Sequence, residues 1–182
     1  MAKRLLQKLI WGPVSSGTTY LYGSGIDYAE SAVIFENLNF ASGKPIRKWR
    51  SRTNYQGNRT SPELPVLEPG GNYWLESEIR SWPEQCFYLQ LDFYNRQEEI
   101  IDYKILKVGE SQFNYPKNAF TYTITLYSAG CRRLHFSHLN LYQEKESSRL
   151  FIPTTRNIEN PFNTQEEVLT FIAPLLEGNL SD

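Results

Sequence analysis

The stretch FTYTITLY, residues 120–127, alternates without a break. Phe120, Tyr122, Ile124 and Leu126 fall on one face of an extended chain, and Thr121, Thr123 and Thr125 on the other. A helix would scatter those apolar side chains around its axis, whereas a half-buried strand collects them. Each one buried is worth on the order of 1.5–3 kcal/mol. The stretch therefore predicts a strand with one face in a core.

Its neighbours repeat the pattern. CFYLQLDFYN, residues 86–95, puts Phe87, Leu89, Leu91 and Phe93 on one side and Tyr88, Gln90, Asp92 and Tyr94 on the other. NYWLESEIRSW, residues 72–82, alternates Tyr73, Leu75 and Ile79 with Glu76, Glu78 and Arg80, and follows the turn signal Pro69-Gly70-Gly71. Further strands are predicted near Leu5 to Trp11, Thr19 to Tyr22, Ala32 to Phe35, Ile46 to Arg50, Ile100 to Val108 and Leu134 to Tyr142. The last of these alternates unevenly, as a bulged strand does. About nine short strands with turns between them, and no helices interleaved, specify an all-β antiparallel sandwich or jelly roll.

Composition agrees. The chain has 182 residues, 40% hydrophobic and 21% charged, enough for one domain with a core. Aromatic residues make up 14%, with a single Met, which favours pleated sheets over a helical bundle. The basic start MAKRLLQKLIWGPV is interrupted by Gln7 and Lys8 and lacks a small-residue cleavage site, so it is not read as a signal peptide. A cytoplasmic protein is expected, with Cys86 and Cys131 too few for a disulfide framework and kept reduced.

The pattern changes after Tyr142. Residues 1–143 carry a balance of +3 and residues 144–182 a balance of −4, counted from Lys, Arg, Asp and Glu. The sandwich is assigned to 1–142 and a polar, proline-broken linker to 143–163. An amphipathic helix follows over 164–177. Thr164 and Glu167 have capping-box spacing, and Val168, Phe171, Ile172 and Leu175 share a face. A lone helix of that length is marginal in water, so its apolar face calls for a docking surface.

No constellation for catalysis stands out. His135 and His138 lie three apart on a strand and face opposite ways, which suits no single metal. Glu98-Glu99 and Glu166-Glu167 are adjacent pairs that do not converge on one substrate, and a solvated loop and a helix start account for them. No phosphate loop, Gly-x-Ser-x-Gly elbow, His-Glu-x-x-His or Cys-x-x-Cys is present. The reading is of a non-enzyme with no metal and no cofactor.

The remaining anomaly is KPIRKWRSRTNYQGNR, residues 44–59, with six Lys or Arg and no acid. Nucleic acid is disfavoured, because the chain has a pI near 6.2 and carries no nucleic-acid-binding motif. A sugar would find an aromatic platform and hydrogen-bonding groups in Trp49, Arg50, Asn54, Tyr55, Gln56 and Arg59. Equally, Trp49 could sit in the core, with Arg50 and Arg59 paired to acids of adjacent strands. Residue chemistry alone leaves these even.

The order of motifs resembles a known family. YLYGS (20–24), VIFEN (33–37), SGKPIRKWRSRTNYQGNR (from Ser42), LPVLEPGGNYWL (64–75) and NAFTYTITLYSAG (118–130) recur in the same order in the third small accessory Sec protein of Gram-positive bacteria. The Trp-x-Ser-x-x-Asn-Tyr-Gln core at 49–56 is its most specific part. The resemblance implies a fold similar to carbohydrate-binding modules and a non-enzymatic role in export of glycosylated serine-rich repeat adhesins. It implies sibling accessory Sec proteins, a motor ATPase and the adhesin itself as partners, in the cytoplasm or at the inner face of the membrane through those partners. It implies that residues 49–59 form a recognition surface for glycan or partner. A free-standing carbohydrate-binding module is the alternative.

Overall fold

The computed structural model describes residues 2–54, 56 and 61–144. The expected helix, with Val168, Phe171, Ile172 and Leu175, lies outside the described residues. Ten strands are present among them, all paired antiparallel: β1 (Lys3–Leu9), β2 (Gly25–Tyr28), β3 (Val33–Glu36), β4 (Pro45–Arg50), β5 (Asn72–Trp82), β6 (Phe87–Tyr94), β7 (Ile100–Leu106), β8 (Gln112–Asn114), β9 (Thr121–Ser128) and β10 (Arg133–Glu144). They form two sheets. One runs β2-β3-β10-β5-β8 with β1 also on β10, and the other runs β4-β9-β6-β7. The antiparallel sandwich read from the alternation is the observed fold.

β10 organises the larger sheet. Its first half pairs with β3 and its second half with β1, while β5 runs along the opposite edge. The uneven alternation of its sequence corresponds to a register shift between Phe136 and His138. The strand continues through Glu144, two residues past the expected end.

Aromatic residues from both sheets and the connecting chain meet in the core. Phe136 of β10 stacks on Trp49 of β4 at 5.5 Å between centroids, and Trp11 meets Phe136 edge-on at 5.3 Å. Phe35, Leu91, Ile124, Leu134 and Leu141 are fully buried around them. The Pro69-Gly70-Gly71 turn is formed as predicted, with Gly70 at φ +80°, a conformation glycine takes without a Cβ penalty.

The family motifs at 20–24 and 33–37 form one structural unit. Asn37 is buried, and its Nδ2 donates to the Tyr22 carbonyl at 3.1 Å and to Ser24 Oγ at 3.0 Å. Its backbone N–H donates in turn to the carbonyl of Arg132. This ties the loop before β2 to the edge of β3.

Four expectations change. The register shift in β10 puts His135 and His138 on the same face, opposite Arg80 and Glu78, and not on opposite faces. Phe120 lies just before β9 and is half exposed, between the guanidinium groups of Arg52 and Arg96 at 5.8 and 5.4 Å. Its neighbours Tyr122, Ile124 and Leu126 do enter the core. The segment 19–22 forms only a single bridge, Thr19 to Arg47, and no strand. Cys86 and Cys131 are joined as a disulfide instead of remaining two thiols. The Ala129 N–H bonds to the Cys86 carbonyl, which brings the two Cα atoms to 5.1 Å, within the range a disulfide spans.

Candidate functional site

The basic stretch divides by side of the sheet. In the β4–β9 ladder the register shifts between Pro45 and Arg47, a bulge that turns consecutive Ile46 and Arg47 both inward. Arg47 is 1% exposed. Its guanidinium donates to Thr19 Oγ1 at 3.2 Å and to the Pro13 carbonyl at 3.3 Å, and forms an ion pair with Glu63. Burial pushes the Arg47 pKa down, and the Glu63 charge pulls it back up. Burial raises Glu63 while Arg47 lowers it. Each ion needs the other.

Trp49 is also 1% exposed, and its Nε1–H donates to the Ile10 carbonyl at 2.9 Å. Its ring is core, so it cannot be the sugar platform that residue chemistry allowed. Arg50 follows it and is half-buried on the opposite side of β4. Asn54 and Gln56 are exposed, and Asn54 Oδ1 accepts from the Gln56 N–H at 3.1 Å in a side-chain-closed turn. Tyr55 and Arg59 lie outside the described residues.

The register of the smaller sheet brings a second set of groups beside Arg50. Across its outer face Lys48, Thr125, Gln90 and Ile105 form one row, and Arg50, Thr123, Asp92 and Tyr103 the next. Tyr127 and Tyr88 pair on the same face, with rings parallel within 7° and 5.2 Å apart. Gln90 Nε2 donates to Asp92 Oδ1 at 2.7 Å, and Tyr94 and Thr123 share a 3.5 Å hydroxyl contact. Asp92, Thr123 and Thr125 are short side chains on central strands, and all three are buried between taller neighbours. The Thr125 hydroxyl has no hydrogen-bond partner among the described residues. Burial pushes the Tyr127 phenol up, and the Asp92 carboxylate adds to it.

At one end of this face lies a depression of about 590 Å³, lined by Arg50, Arg52, Asn54, Tyr94, Thr121 and Thr123 among others. The arrangement offers flat half-exposed rings, an amide, a carboxylate and guanidinium groups on one rigid sheet. Such a set suits a polyhydroxylated ligand with apolar C–H faces. Arg50 and Asn54 were read from the sequence as site residues, and the structure joins them to Tyr88, Gln90, Asp92, Tyr94, Thr123 and Tyr127, which were not. The missed signal was chemical: the outward face of β6 carries Tyr, Gln, Asp and Tyr in place of ordinary lysines and glutamates. Among the described residues no group of His, Cys, Asp and Glu is placed to hold a metal ion, and no helix is long and apolar enough to cross a membrane.

The family model for the accessory Sec secretory system ASP3 protein matches residues 19–143. The accessory Sec system ASP3 protein of Streptococcus gordonii is 33% identical over 151 residues, covering 78% of this chain and 95% of that protein. Its counterpart from Staphylococcus aureus is 29% identical over 141 residues; this chain spans 44% of that longer protein. A solved structure of accessory secretory proteins 1, 2 and 3 of Streptococcus pneumoniae contains a chain with TM-score 0.70 and 34% identity, over 75% of this chain and 95% of that one. The Gap123 glycosylation-associated complex of Streptococcus agalactiae contains a chain with TM-score 0.69 and 32% identity, over 80% of this chain and 46% of that one.

Proposed function

This chain belongs to the ASP3 family of the accessory Sec secretory system, and from that membership we propose that it is a non-enzymatic adaptor for a glycosylated serine-rich repeat adhesin. It works in a complex with sibling accessory Sec proteins, which hand the adhesin to a motor ATPase. The similarity to chains from the pneumococcal and S. agalactiae complexes supports the sibling partners. The observation that carries glycan recognition is the outer face of the smaller sheet, where the Tyr88–Tyr127 pair lies beside Gln90 and the row of Asp92 and Arg50 follows beyond it. Rings cover the C–H faces of a sugar, while the amide, carboxylate and guanidinium take its hydroxyls. The face is preorganised by two ladders, so little ordering entropy is lost on binding.

The testing experiment is calorimetric titration of the full chain, alone and with its siblings, with a serine-rich repeat fragment in glycosylated and unglycosylated forms. Binding of the glycosylated form alone, lost in a Tyr88→Ala/Tyr127→Ala variant that melts as a folded protein, is the expected result. Equal binding of both forms would shift recognition to the adhesin polypeptide. Binding of neither, with or without siblings, would overturn the adaptor reading. The segment 164–177, with Val168, Phe171, Ile172 and Leu175, is proposed as the sibling-docking helix. Its deletion should weaken the complex and leave sandwich unfolding cooperative.

A further inference from the structure

The edges of the two sheets are not treated alike. A bare edge strand displays unpaired N–H and C=O groups to any passing chain, so folded proteins keep edges short, covered or charged. In the larger sheet β2 and β8 are four and three residues long, and β1 carries Lys3, Arg4 and Lys8. In the smaller sheet β4 is covered by the segment 18–20. The Lys48 N–H donates to the Thr18 carbonyl and the Tyr20 N–H to the Ile46 carbonyl. β7 is neither short nor covered, and its two charges, Asp102 and Lys104, are of opposite sign. It is seven residues long, pairs only with β6 among the described residues, and is exposed from Ile100 to Ile105. Ile100 and Tyr103 are 60% and 61% exposed, and Ile101 and Ile105 are exposed as well.

Its sequence, Ile100-Ile101-Asp102-Tyr103-Lys104-Ile105-Leu106, reads almost the same in both directions when charges are paired with their opposites. In an antiparallel pairing centred on Tyr103, Asp102 meets Lys104, and Ile101, where β7 bulges against β6, lies toward Ile105. Each pair then occurs twice, as a two-fold axis requires. The backbone is also prepared for a partner. The Tyr103 N–H donates to the adjacent Asp102 Oδ1 at 2.8 Å, a local bond of the kind that stands in for a ladder partner. A purely protective edge would present like charges that repel a second copy; this one presents opposite charges in self-complementary order.

We propose that β7 pairs antiparallel with β7 of a second copy of this chain about a two-fold axis through Tyr103, joining two four-stranded sheets into one of eight. In that pairing Asp102 releases the Tyr103 N–H and meets Lys104 of the other copy, and the freed N–H enters the new ladder. The axis stands perpendicular to the sheet, so both outer faces stay on the same side. The inference is independent of what those faces bind.

Sedimentation velocity of the full chain over a concentration series tests it, with Lys104→Asp and with Asp102→Lys combined with Lys104→Asp. The single reversal sets like charges opposite each other twice and weakens self-association on the order of tenfold. The double exchange restores complementarity and self-association with it. A Tyr103→Cys variant, oxidised mildly, cross-links to a covalent dimer, because directly paired Cα atoms about 5.5 Å apart suit a disulfide. The parent chain, whose two cysteines occupy each other, does not. A monomer at every concentration overturns the proposal. So does a dimer indifferent to Lys104→Asp, a double exchange that fails to restore it, or β7 protected only when a different accessory protein is added.

Discussion

Trp49 and Arg50 are adjacent in the chain and belong to opposite faces of the same sheet. The inner face of the β4-β9-β6-β7 sheet is built from Trp49, Ile124, Leu91 and Phe93, all at most 1% exposed. Its outer face carries Arg50, Thr123, Asp92 and Tyr94 on the same strands, one residue along. The inner face has one physical task, removing apolar area from water. The outer face buries polar groups, Asp92 held by Gln90 and Thr125 with no hydrogen-bond partner for its hydroxyl among the described residues. Buried polar groups cost stability, so a fold keeps them where they do something else. Stability lies on one side of the sheet, and the proposed recognition falls on the other.

The largest expected effect tests the inner side. Trp49→Ala should cost about 3–5 kcal/mol in denaturant unfolding, as large-to-small changes of a buried aromatic do. The fraction that remains folded should bind ligand as before. Selective loss of binding without loss of stability would break the division between faces. Glu63→Ala comes next. It leaves the Arg47 guanidinium buried without its carboxylate, and about 3 kcal/mol should be lost. Changing the pair together to Met and Leu should recover most of that loss, measured in the same unfolding series.

A smaller effect concerns pH. Burial raises the phenol pKa values of Tyr73, Tyr115, Tyr122 and Tyr127, Tyr122 the most. Their folded values lie above the unfolded value of about 10, so the native state holds protons that the unfolded chain releases. Their contribution is fully present below about pH 10 and is lost as pH rises toward the folded values. Unfolding midpoints measured upward from neutral pH should therefore fall only beyond that point. Tyr122→Phe should reduce the fall at a cost of about 1 kcal/mol at neutral pH, because its hydroxyl donates to the Pro65 carbonyl at 2.8 Å.

The smallest effect sharpens the outer side. Thr125→Val removes a buried hydroxyl with no partner among the described residues and should change stability by less than about 1 kcal/mol, in the stabilising direction. Weaker ligand binding by this variant would mean that the hydroxyl is kept for the ligand. Unchanged binding would restrict the site to the taller side chains around it.

Much of the scaffold was legible. β5, β6 and β9 emerged from alternation within a residue of their observed limits, because strands with one buried face write a period of two into the chain; β7 and β10 were placed within two residues without it. β2 and β8 did not, since edge strands of four and three residues are too short to show a period. The candidate site was half legible. Arg50 and Asn54 lie in a stretch whose composition is unusual, whereas Tyr88, Asp92 and Tyr127 are scattered over two strands and meet only through register. Trp49 was ambiguous for a physical reason. The bulge at Pro45–Arg47 sets the phase of β4, and nothing local in PIRKWR reveals it.

The sequence by itself determined that this chain is an antiparallel sandwich of short strands, because alternation, turn residues and aromatic content all require it. Its ordered motifs also determined the family. Only the tertiary structure decided that Arg47, among the neighbouring cations, would be buried against Glu63 and Arg50 would face outward. Long-range pairing made that choice: a one-residue shift in register exchanges the two faces of a strand, and register is a property of the sheet.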